Sequence, residues 1–173
     1  TGSGLVTVAS GAILAGTGAV SGNLTVNSGG VLHTGDVTTV GNATTTITDI
    51  GSLTVSGNVT LTAGSITRFD ISTPASSDFL GIGGNITSLG NIVVTGPSFV
   101  PEIGQTFSLI DWGGTSDFTG FNVGVNNRTG ADDNGFQFDL PDIASSGFLW
   151  DVSNFISSGS VSVVPEPSRA LLL

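Results

Sequence analysis

The sequence predicts an all-β protein: a right-handed parallel β-solenoid (β-helix) with a β-rich C-terminal cap or small sandwich. Three observations predict it. Gly supplies 27 of 173 residues and charged residues only 9%, while 38% are hydrophobic. That is too little charge and too much Val, Ile and Leu for a disordered chain. Short alternations such as Leu24-Thr25-Val26 recur between small-residue turns, and alternate side chains of a strand face opposite ways. These units also repeat along the chain.

The first region, 1–95, reads as the solenoid repeats. SGNLTVNSGGVL (21–32) matches SGNVTLTAGSIT (56–67), and LVTVASGAIL (5–14), DIGSLTVSGN (49–58), GGNIT (83–87) and GNIVVT (90–95) are looser copies. No helix is expected in this half, because no 3.6-residue stripe survives such a density of Gly and β-branched residues. The spacing places TGDVTTVGNATTTIT (34–48) as an intervening, imperfect coil between the two best copies. Asn suits a coil corner because it tolerates left-handed geometry.

The second region, 96–164, reads as the cap. All ten Phe lie at or after Phe69, and the two Trp are Trp112 and Trp150. Longer strands are expected at 106–111, 121–125, 136–140, 148–152 and 160–164. NNRTGADDNG (126–135) joins two of these, and its Asn-Gly end is a hairpin-turn signal. Residues 165–173 form a separate tail, since Pro165 and Pro167 cannot extend a sheet.

Composition also excludes functions. Thirteen acids against three Arg give a formal charge of −10, so nucleic acid is not an expected partner. Cys is absent, which removes disulfides and thiolate metal sites.

Candidate sites are few. GADDNG (130–135) matches part of a calcium loop, but Gly130 and Pro141 stand where two ligands belong. Asp132, Asp133 and Asp139 are the metal candidates, set against the reading as a solvated hairpin tip. His33, the sole histidine, reads as a surface turn residue. Asp111, Asp139, Asp142 and Asp151 show no paired-carboxylate spacing, so no catalytic residue or cofactor is expected. Arg68 and Asp70 read as a surface ion pair on one strand face, opposite Thr67, Phe69 and Ile71. Asn-x-Thr sequons at Asn23, Asn42, Asn58, Asn85 and Asn127 are candidate glycosylation sites.

With these residues in place, SGNLTVNSGGVL and GNVTLTAGSITRFDI resemble autotransporter-associated β-strand repeats. GPSFVPEIGQTFSLID (96–111), LPDIASSGFLWDVSNFISSGSVSV (140–163) and VPEPS (164–168) resemble the C-terminal end of proteins with a PEP-CTERM sorting signal. The resemblance implies export, processing at Pro165-Glu166-Pro167, and a secreted or cell-surface location in a bacterium. Only the start of the apolar stretch follows the motif, and a spanning helix needs about 20 residues, so membrane contact is expected only through a missing segment. The function expected is therefore that of a non-enzymatic extracellular structural protein. Its expected partners are further copies of itself, in a head-to-tail homo-oligomer or filament, and extracellular polysaccharide. The alternatives are a carbohydrate-binding or polysaccharide-degrading module, favoured by an exposed Trp112 or Trp150 platform, and an adhesin.

Overall fold

The structure, a computed structural model, describes residues 4–35, 39–40, 43–44, 50–96, 98–131, 133 and 135–167. It is mostly β, with three parallel sheets and very little helix. The first sheet joins Val6–Val8, Leu24–Val26, Val59–Leu61, Ile86–Ser88 and Ser116–Asp117, in that order. The second joins Ile13–Ala15, Val31–His33, Ile66–Thr73, Asn91–Thr95 and Phe138–Asp139. The third joins Gly18–Val20, Ser52–Val55, Phe79–Ile82 and Ile110–Trp112. The chain visits first, second and third sheet in rotation, and each strand pairs in parallel with the strand of the preceding round.

Register puts like on like. Leu24, Val59 and Ile86 are successive partners in the first sheet, and Leu53, Leu80 and Ile110 in the third. In the second sheet Leu32 pairs with Thr67, Thr67 with Ile92, and Ile92 with Phe138. All are buried; Thr67 is the polar exception in the second ladder, and the others belong to one hydrophobic core. The alternation predicted for Leu24-Thr25-Val26 holds: Leu24 and Val26 are buried and Thr25 is half-buried.

The two best repeat copies are immediate neighbours, because Leu24 pairs directly with Val59. Residues 34–48 are thus no intervening coil. They lie between the second-sheet strand ending at His33 and the third-sheet strand starting at Ser52 and fall largely outside the described residues; of those described, Thr39–Val40 pairs antiparallel with Ala43–Thr44. Among the described residues, stacking on the preceding round resumes with the third-sheet strand Ser52–Val55.

The Gly-Asn corners stack for a reason other than left-handed backbone. Asn127, with φ 57°, is the only described residue besides Gly with positive φ. Asn23, Asn58 and Asn85 instead form a ladder: each Oδ1 accepts the backbone N–H at the next corner, that of Asn58, Asn85 and Thr115 in turn, all at 2.8 Å. The preceding Gly makes room, since a Cβ on Gly57 or Gly84 would overlap Oδ1 of Asn23 or Asn58.

The parallel sheets run on past residue 95, so the change in composition is not a change in pairing. The expected strand 106–111 divides at buried Leu109. Thr106–Ser108 joins an antiparallel sheet with Ser160–Pro165 and Phe148–Asp151, while Ile110–Trp112 enters the third parallel sheet. Residues 121–125 are not a strand, and of 136–140 only Phe138–Asp139 is one, parallel to Ile92–Val93. The hairpin over 126–135 therefore does not form. Its place is taken by a buried ion pair and by a bridge from Arg128 to Trp150. Phe118, Phe121, Phe138 and Phe155 pack together near the last strands, with Phe138 and Phe155 stacked at 4.1 Å between centroids. No helix of the described residues is long and apolar enough to cross a membrane.

Candidate functional site

His33 is not a surface turn residue. It closes the second-sheet strand Val31–His33 and is 1% exposed. Asp70 is not half of a surface pair with Arg68: it is 4% exposed, and its neighbour is His33. Alternation did place Thr67, Phe69 and Ile71 in the core. It could not show that the face carrying Asp70 is also covered. The strand Ile66–Thr73 turns back through Ser76–Ser77, with a register shift between Ile71 and Thr73, and the return brings in Asp78, which is fully buried.

The three side chains meet at the root of the insertion. Nε2 of His33 lies 3.5 Å from Oδ2 of Asp70 and 3.8 Å from Oδ2 of Asp78. One ligating atom from each residue lies within 4.8 Å of the others. Gly35 holds the other ring nitrogen, with its carbonyl 3.2 Å and its N–H 3.0 Å from Nδ1. Asp78 accepts the N–H of Gly51 on Oδ1 at 2.7 Å and that of Asp70 on Oδ2 at 2.9 Å. Oδ1 of Asp70 accepts the Thr95 hydroxyl, but its Oδ2 is buried without a hydrogen-bond partner among the described residues.

The local sequence explains the convergence. Thr34-Gly35 and Gly51 are the two ends of the insertion, and a Cβ on Gly51 would lie 2.8 Å from the Thr34 carbonyl oxygen. Only Gly lets these ends close over the histidine. Burial raises the Asp78 carboxyl above its ordinary value. The N–H groups of Asp70 and Gly51 and the nearby imidazole pull it back down, and the Asp70 charge adds to the rise. Such a cluster can hold a proton or a cation. It presents almost no surface to solvent.

The metal candidates 132, 133 and 139 fare differently. Asp132 lies outside the described residues. Asp133 is buried and fully engaged by its own chain: Oδ1 accepts Nε of Arg128 at 2.6 Å and Oδ2 accepts the Leu140 N–H at 2.9 Å. It is a partner for Arg128, not a surface cation ligand. Asp139 is exposed, in a groove of about 300 Å³ with Asn91 and Phe136. Of the other acids, Asp142 and Asp151 accept N–H groups of Ala144 and Ser153 in local turns, and Asp111 is exposed.

Neither Trp offers an open platform. Trp150 is completely buried and donates Nε1–H to the Pro141 carbonyl at 2.8 Å, and Trp112 is half-buried against Phe118. The sequon side chains Asn23, Asn58 and Asn85 are exposed, with Oδ1 committed to the ladder; Asn127 is exposed too, and Asn42 lies outside the described residues. Pro165 ends the last strand, and Glu166 and Pro167 beyond it are exposed.

Sequence reasoning missed the His33–Asp70–Asp78 cluster because its members are 37 and 8 residues apart and no spacing rule connects them. The signal in reach was a lone histidine beside the one segment that breaks the repeat. Comparison with family models, with curated proteins and with solved structures finds no match.

Proposed function

We propose that the three sheets wind as a right-handed β-solenoid and that the chain is a non-enzymatic structural protein of a bacterial surface, exported by a PEP-CTERM-type route. The rotation of the chain through three parallel sheets is the observation that carries this reading. A stack held by ladders of like residues grows by adding rounds, and each round buries its side chains against the next. The exposed Pro-Glu-Pro after the last strand supports the sorting assignment, because a processing enzyme needs extended, accessible chain.

Self-association is part of this reading. Among the described residues Val6–Val8, Ile13–Ala15 and Gly18–Val20 each pair on one side only, and Leu5 and Ile13 are 64% and 43% exposed. Unpaired edges recruit further strands. Sedimentation velocity over a concentration series tests it: species larger than the monomer are expected to grow with concentration, and their loss is expected for Leu5→Lys and Ile13→Lys, which put charge on the exposed edge. A monomer at every concentration counts against the assembly. The export assignment is tested by the intact mass of protein recovered from the cell surface, which reports cleavage near Pro167. The rival, a carbohydrate-binding module, draws no support from Trp150, which is completely buried, and Trp112 is half-buried against Phe118.

A further inference from the structure

We propose that His33, Asp70 and Asp78 form a structural site for a divalent cation of the zinc class, which locks the insertion onto the sheets. The spacing fits a metal better than it fits hydrogen bonds. At 3.5 and 3.8 Å, the contacts from Nε2 to the two carboxylates are too long to be good hydrogen bonds. Ligand atoms about 2.1 Å from a tetrahedral zinc ion stand about 3.4 Å apart.

The surroundings match what a metal site requires. Each ligand is oriented by a second group, as is usual around bound metals: Nδ1 of His33 faces the Gly35 carbonyl, Oδ1 of Asp70 takes the Thr95 hydroxyl, and Asp78 takes two backbone N–H groups. Gly35 meets Nδ1 with both backbone groups, its N–H at 3.0 Å and its carbonyl at 3.2 Å; with the proton on Nδ1 the ring donates to that carbonyl and turns the Nε2 lone pair toward the carboxylates. Without a cation the other tautomer is open to the ring, with Nδ1 accepting the Gly35 N–H and Nε2–H facing Asp70; a bound cation selects the first.

The independent observation is Oδ2 of Asp70. It is buried, has no hydrogen-bond partner among the described residues, and points at Nε2. An unpaired buried carboxylate oxygen is costly, and buried charges are normally paired or bound to metal. Two carboxylates and a neutral imidazole carry two negative charges, which one dication cancels. An imidazole among the ligands favours zinc-class ions over calcium, which takes six to eight oxygens.

The chain has one histidine, so its imidazole can be followed without a substitution. Full-length protein labelled with ¹⁵N is dialysed against chelator at neutral pH and titrated with ZnCl₂. The Nε2 resonance is expected to move to the metal-bound position, saturating at one equivalent, while Nδ1 keeps its proton. The thermal midpoint is expected to rise with Zn²⁺. Asp70→Asn is expected to weaken binding at least about tenfold, and Asp139→Asn to leave it unchanged. An imidazole unmoved by stoichiometric Zn²⁺ overturns the proposal. So does a Zn²⁺ affinity equal in a folded Asp70→Asn variant, or a ring that responds to CaCl₂ as strongly as to ZnCl₂. If Asp70→Asn fails to fold, the wild-type titration decides alone.

Discussion

Oδ1 of Asn58 accepts the backbone N–H of Asn85 at 2.8 Å, one rung of a ladder that begins at Asn23 and ends on Thr115. Asn and the Gly before it act as a unit: the amide reaches across the corner, and the missing Cβ leaves it space. Gly84→Ala is therefore expected to destabilise by about 1–3 kcal/mol through overpacking, since its Cβ would also lie 2.8 Å from the Gly57 carbonyl oxygen. Asn58→Ala removes one net hydrogen bond, about 1 kcal/mol. Urea unfolding of both variants checks the order; an Asn58→Ala loss as large as that of Gly84→Ala would refute the space-making role of the glycine.

Trp150 is the largest buried side chain, stacked on Phe99 at 5.4 Å and edge-on to Phe107 at 6.1 Å. Trp150→Ala is expected to cost about 3–5 kcal/mol. Trp150→Phe keeps most of the apolar contact but leaves the Pro141 carbonyl without its donor, a loss of about 1–3 kcal/mol. Chemical denaturation followed by circular dichroism separates the two.

Arg128 and Asp133 form a buried pair, and Arg128 also donates to the carbonyls of Val125 and Phe138 at 3.0 and 2.7 Å. Asp133→Asn strands the guanidinium in the interior and is expected to destabilise by about 3–5 kcal/mol. Because the pair is shielded from solvent, its contribution should change little with added salt. A wild-type-like thermal midpoint for Asp133→Asn would remove the pair from its structural role.

Two surface acids should respond to pH in opposite senses. Partial desolvation, and then the Asp133 charge, raise the Asp139 carboxyl above 3.8. The fold thus disfavours its ionised form, and this contribution improves as pH falls through the raised value. Asp139→Asn is expected to raise the thermal midpoint at neutral pH, with the gain fading below pH 3.8. Hydrogen bonds from Ser153, side chain and backbone, lower the Asp151 carboxyl. Its stabilisation is present above 3.8 and lost as pH falls through the depressed value, so Asp151→Asn should lower the midpoint at neutral pH and match wild type in strong acid. Thermal melts of the two variants from neutral to acid pH check both signs.

The amino-acid sequence by itself determined the β character and the in-register units. SGNLTV and SGNVTL align residue for residue with the pairing of Leu24 to Val59, because a side-chain period of two and a glycine corner are local properties. It also determined that the last strand stops at Pro165, for want of a backbone donor. Tertiary structure alone decided which copies are neighbours, because an insertion between sheets changes the spacing without changing the register. It also decided the fate of Phe121–Val125, whose alternation is that of a strand but which joins no sheet and meets Gln137 through Asn122 alone. Above all it decided the burial of His33, Asp70 and Asp78. Alternation tells which side chains share a face, but not what the rest of the chain lays over that face, and here Gly35, Gly51 and the return through Ser76–Ser77 bring a histidine and two carboxylates together in the interior.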